Sequence, residues 1–73
     1  MWIGRAFQLR EKLRAITSTG TIEYIAVGTV VVVLSETVMH VVTVQEQNRQ
    51  LIVFADDLEK CGEELDATRG ADT

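Results

Sequence analysis

The chain has 73 residues, 47% of them apolar, with one cysteine, one histidine and a formal net charge of −4. That length excludes a second domain and leaves barely enough material for one core. Cys61 alone excludes an internal disulfide framework, and one Cys with one distant His excludes an ordinary zinc knuckle.

The charge is asymmetric. Residues 1–22 set Arg5, Arg10, Lys12 and Arg14 against Glu11, whereas residues 45–73 set eight acids against Arg49, Lys60 and Arg69. An acidic chain is a poor nucleic-acid ligand, because phosphate contacts need clustered Lys and Arg, so no nucleic-acid partner is expected.

Taken in chain order, residues 1–20 read as a basic amphipathic arm. Trp2, Ala6, Leu9, Leu13 and Ile16 recur at helical spacing, and Ile3 and Phe7 widen the stripe. The pattern predicts a helix near residues 2–16. Trp2 and Phe7 on its apolar side, with Arg10 and Arg14 on the others, suit a membrane interface. Packing of the same stripe on a neighbouring protein is the alternative. Thr17, Ser18, Thr19 and Gly20 make a break, and Thr19 or Thr21 is placed to cap a following helix.

Residues 21–44 read as a transmembrane helix. From Tyr24 to Val44 only Glu36 and His40 are ionisable, and there is no proline. As a helix this stretch covers roughly 31 Å, the thickness of a bilayer's hydrocarbon core. The valines at 30–33, 38, 41, 42 and 44 favour a strand. A strand here, however, reads as one long edge without a partner, whereas a helix in lipid satisfies its own backbone groups. The alternative is a buried strand or helix of an obligate soluble oligomer. Gly28, Val32, Glu36 and His40 repeat every four residues, with Ser35 beside them, and form a helix-packing face for other transmembrane helices. Two ligands from one helix do not make a metal site. A proton relay through Glu36 and His40 is weighed against a Glu–His contact or a hydrogen bond to a neighbouring subunit that holds register, and the latter reading is preferred.

Residues 45–73 read as an acidic helical tail. Gln45 to Gln50 are polar and mark exit from the membrane, so the spanning helix runs over residues 21–50. Leu51, Ala55, Leu58 and Leu65 then predict an amphipathic helix over 51–66, separate from the span or continuous with it, with Asp56 and Lys60 as an i,i+4 pair. Residues 67–73 are expected to be poorly ordered. The basic residues before the span place the N-terminus on the cytoplasmic or matrix side. No nucleophile beside a base, phosphate-binding loop or second histidine is present, so no catalytic residue, cofactor or metal is expected.

This layout resembles the single-span accessory subunits of mitochondrial respiratory-chain complexes. The smallest single-span subunits of the cytochrome bc1 complex are similar at Glu36-Thr37-Val38-Met39-His40 and at Glu46-Gln47-Asn48-Arg49-Gln50-Leu51. The resemblance implies a non-catalytic structural subunit of the inner membrane. Its N-terminus would face the matrix, and its contacts would be other transmembrane subunits of a hetero-oligomeric complex and membrane lipids. A second resemblance, at Gly20-Thr21-Ile22-Glu23-Tyr24, is to the start of small archaeal and bacterial pilins. It implies cleavage after Ser18 and a plasma-membrane location. A bitopic bacterial regulator or assembly factor is the third class. The expected fold is therefore all-α: one transmembrane helix, an N-terminal amphipathic arm and a C-terminal amphipathic helix.

Overall fold

The backbone at Gly28 has φ 91° and at His40 φ 59°, left-handed conformations that no continuous helix contains. The apolar run is broken at both points, and its β-branched residues are extended on either side. The computed structural model describes residues 2–37 and 40–65. It holds seven short strands and one helix: β1 (Ala6–Leu9), β2 (Leu13–Ile16), β3 (Ile22–Ile25), β4 (Val30–Glu36), β5 (Val41–Glu46), β6 (Arg49–Phe54), α1 (Ala55–Cys61) and β7 (Gly62–Leu65).

All the strands join one antiparallel sheet, in the order β3-β2-β6-β5-β4-β1-β7. The valine run therefore has what a lone strand lacks. β4 is hydrogen-bonded to β1 on one side and to β5 on the other, and β5 continues to β6. The all-α expectation is overturned, and with it the single-pass inner-membrane placement. Among the described residues no helix is long and apolar enough to cross a membrane. The amphipathic arm at 2–16 is instead β1 and β2, and the expected helix at 51–66 shrinks to α1, with β6 before it and β7 after. The physical reason is that strand pairing satisfies the same backbone groups as a helix while giving β-branched side chains the geometry they favour.

The inner face of the sheet makes the core. Phe7 and Leu9 of β1, Leu13 and Ala15 of β2, Val31 and Val33 of β4, Val42 and Val44 of β5, and Leu51 and Val53 of β6 are buried at alternate positions, with Ile25 of β3. No polar side chain is buried among them. Ala55 and Leu58 of α1 close this core, the helix packing against β1, β2, β6 and β7. Full burial of Leu58 contributes about 1.5–3 kcal/mol. Asp56 and Asp57 in the first turn of α1 and Lys60 in the last match the helix dipole. The helix ends where the Gly62 N–H donates to the Leu58 carbonyl.

Turn chemistry sets the register. In the β2–β3 hairpin the Thr17 N–H donates to the Thr21 carbonyl, and the Gly20 N–H donates to that of Thr17. Gly20 sits there at φ 89°. Gln47 and Asn48 make the two-residue turn between β5 and β6, closed by the Glu46↔Arg49 pair. A bulge between Val33 and Ser35 shifts the β4–β5 register. The segment 67–73 lies outside the described residues.

Candidate functional site

A sheet with one face packed on a core ordinarily reads polar on the other. Here the outward positions are largely apolar. Ile22 is 62% exposed, Tyr24 57%, Phe54 43% and Ile52 38%, all on the β3-β2-β6 side. Val30, Val32 and Leu65 repeat the feature on the β4-β1-β7 side. Exposed apolar side chains grouped in this way mark interaction surfaces more often than single ones do.

On the first side the group encloses a groove. β2 and β6 share one paired position, Ile16↔Ile52. Between the two strands lies a cavity of about 280 Å³ lined by Ile16, Ile22, Val41, Ile52, Val53 and Phe54, with Arg14 at its rim. The strands explain the arrangement. Ile22 is the cross-strand partner of Ile16, and Phe54 that of Val41, so each side chain projects outward beside its neighbour. The volume lies at the small end of the range for ligand sites, and the walls offer one charged group. It suits one or two apolar side chains of an extended segment better than a polar small molecule.

The flank of this groove is cationic and aromatic. Arg14 lies opposite Tyr24 across the β2–β3 pair, and the Lys12 ammonium stands 4.9 Å from the Tyr24 ring centroid. Arg10 follows on the same turn, its backbone N–H donating to the Cys61 carbonyl at 2.7 Å. Arg49 is committed elsewhere, donating to Glu46 at 2.8 Å and to Glu23 at 2.6 Å. At the other end of the sheet the Arg5 guanidinium donates to both Glu64 carboxylate oxygens, at 2.7 and 2.5 Å, while lying over the Trp2 and Phe7 rings. Those hydrogen bonds hold the Glu64 carboxyl below its ordinary value and raise Arg5. Cys61 is half-buried, and burial pushes its thiol up, with Glu11 and Asp57 adding to the shift.

The residues expected to form a helix-packing face do not share a helix. Val32 and Ser35 are exposed on β4, and Gly28 lies in the turn before it. Glu36 ends β4 and accepts from the Trp2 N–H. His40 is exposed before β5, and its carbonyl accepts from the Ala55 N–H at 2.8 Å. Of the four residues expected at a membrane interface, Phe7 is in the core. Trp2 is half-buried and stacked on it, with centroids 5.5 Å apart, while Arg10 and Arg14 are exposed. Among the described residues no group of three His, Cys, Asp or Glu side chains is placed to hold a metal ion.

Ile16, Ile22, Tyr24, Ile52 and Phe54 were not singled out as one surface by sequence reasoning. The signal that marks them is Ile22-Glu23-Tyr24-Ile25 directly after a Thr/Ser/Gly turn, and Leu51-Ile52-Val53-Phe54, apolar at both strand parities. Searches against family models, curated proteins and solved structures find no match to this chain.

Proposed function

We propose that this chain is a non-catalytic protein-binding module, an accessory component that seats an apolar segment of another protein in the groove between β2 and β6. The observation that carries the reading is the groove itself: Ile16, Ile22, Val41, Ile52 and Phe54 held outward on a rigid sheet, where a solvated face needs polar side chains. Arg14 at the rim favours a ligand with an acidic residue beside its apolar ones. The expectation of a non-catalytic partner of other chains is kept in this form. The respiratory-chain resemblance rested on a continuous helix, and without that helix it supplies no partner.

Selection of random extended peptides against the folded chain tests the reading, with counter-selection on Ile52→Asp. The expected result is a consensus of two apolar residues flanked by Asp or Glu. Phe54→Ala should weaken binding at least tenfold, and Arg14→Ala should weaken only acid-bearing peptides. Peptides that bind Ile52→Asp and Phe54→Ala as well as the parent would overturn it.

A further inference from the structure

The β2–β6 groove does not end at Arg14. A second cavity, of about 210 Å³, lies where β2 and β3 meet α1 and is lined by Lys12, Leu13, Arg14, Tyr24, Asp57 and Cys61. Arg14 is common to both cavities, with apolar walls on one side of it and ionic ones on the other. The local chain explains the placement. Tyr24 is the cross-strand partner of Arg14, and the Lys12 ammonium stands 4.9 Å from the Tyr24 ring centroid. Asp57 and Cys61, four residues apart on α1, supply the wall from the helix. Lys12, Arg14 and Asp57 form no ion pair among the described residues. Burial, with Glu11 and Asp57, pushes the Cys61 thiol up, so it adds no negative charge at neutral pH. Two cations therefore face one carboxylate, an excess of one positive charge.

We infer that this second cavity receives a side-chain carboxylate of the bound segment, an Asp or Glu two residues from the apolar side chain seated in the groove. This builds on the groove as a segment-binding site and names what is recognised beside it. Charge selects the anion. A single excess positive charge suits a carboxylate, whereas a phosphoryl dianion would be set beside Asp57. The backbone selects its source. Capture of a chain-terminal carboxylate draws on free backbone N–H groups. Here the Arg10 and Glu11 N–H groups both donate to the Cys61 carbonyl, at 2.7 and 3.2 Å. The cationic donors of the cavity are side chains, which meet an internal Asp or Glu equally well.

Strand geometry sets the spacing. Arg14 and Ile16 lie on the same face of β2, opposite the buried Leu13 and Ala15, and about 6.6 Å apart along the strand. An extended segment repeats its own same-side residues at that distance. One that sets an apolar side chain against Ile16 therefore brings the second residue along to Arg14. An acid at an odd spacing points away.

Amide-resonance titrations of the full chain with end-capped peptides, at up to about 10 mM, test the assignment. The probes carry leucine and glutamate in a threonine background, two or three positions apart and in both orders, with glutamine replacing glutamate as the control. The two-apart peptide in its better order is expected to bind about threefold tighter than its control, or more. The three-apart peptide should bind no tighter than its own. Added salt should reduce the preference. Lys12→Gln and Arg14→Gln should each lower it and Asp57→Asn should raise it, each variant being shown folded by circular dichroism and a cooperative melt. Equal binding of glutamate and glutamine peptides, both weakened by Ile52→Asp, overturns the inference and leaves the groove reading standing. Binding that Ile52→Asp does not weaken removes the groove reading and the inference with it, as does no binding of any peptide. A phosphoserine peptide that outbinds the glutamate one overturns the carboxylate assignment. An uncapped peptide ending in leucine that outbinds it overturns the side-chain source.

Discussion

The inner and outer faces of the sheet are made from the same kinds of residue and serve different ends. Val31 and Val33 are buried in the core, while Val30 and Val32, one position along the same strand, are exposed at 43% and 36%. Leu51 and Val53 on β6 stand in the same relation to Ile52 and Phe54. The inner set explains why the chain folds, since among the described residues no polar side chain is buried with it and it is sealed by Leu58. The outer set contributes nothing comparable to folding in a single molecule. Its apolar character is what the proposed function draws on, a bound apolar segment being the element that would cover it.

The sharpest way to break this comparison is to put a carboxylate on each face of β4. Val33→Asp buries a charge with no partner, at a cost of several kcal/mol, which rivals the whole stability of a domain this small. It should abolish the cooperative melt and the dispersion of amide resonances. Val32→Asp should lose less than about 1 kcal/mol, mainly strand propensity, and keep both. If Val32→Asp unfolds as completely, the outer face belongs to the folding core and the distinction fails.

The same comparison explains what was legible beforehand. Strands β1 and β2 alternate cleanly, with Phe7, Leu9, Leu13 and Ala15 inward, yet Trp2, Ala6, Leu9, Leu13 and Ile16 also satisfy a helical spacing. Segments of four residues are too short to separate the two periods. In β4 and β5 the ambiguity is worse. With both faces apolar, period two vanishes and the run reads as a span. Valine composition carried the right signal. It was overruled by the lack of a visible partner strand, because the ladder joining β4 to β1 and β7 to β1 is long-range pairing that no local pattern encodes. Thr17 to Gly20, expected as a break between two helices, is the turn between strands β2 and β3. Of the groove, the sequence pattern points to Arg14 and Ile16, each in the role of an amphipathic helix. Ile52 and Phe54 were hidden because their outward direction depends on the register with β5.

Close packing on the inner side extends to β7, and Gly62 measures it. Its φ is −118°, so any residue can adopt the backbone. A Cβ there would nonetheless sit 3.0 Å from the Leu58 carbonyl oxygen and 3.3 Å from both Leu9 Cδ2 and Phe7 Cβ. Gly62→Ala should therefore destabilise by about 1–3 kcal/mol, seen as a lowered urea midpoint with an unchanged slope. A neutral result would mean that β7 can slide outward, and that the inner face ends at β1.

The smallest expected effect lies at the rim, where the two faces meet in the Arg5–Glu64 pair. Arg5 holds the Glu64 carboxyl below its ordinary value through two hydrogen bonds. A carboxyl whose folded value is depressed binds fewer protons folded than unfolded. Its contribution is present above the unfolded value and is lost as pH falls through the folded one. Urea midpoints of the parent should therefore exceed those of Glu64→Gln at neutral pH, and the gap should close on acidification below the ordinary glutamate range. Both side chains are well exposed, 38% and 41%, so the gap is small and shrinks with added salt. A gap that persists unchanged at acid pH would show that the glutamine loses packing rather than charge, moving this contact from the rim to the inner face. A gap that closes with pH but resists salt would assign it to the paired hydrogen bonds over the Trp2 and Phe7 rings.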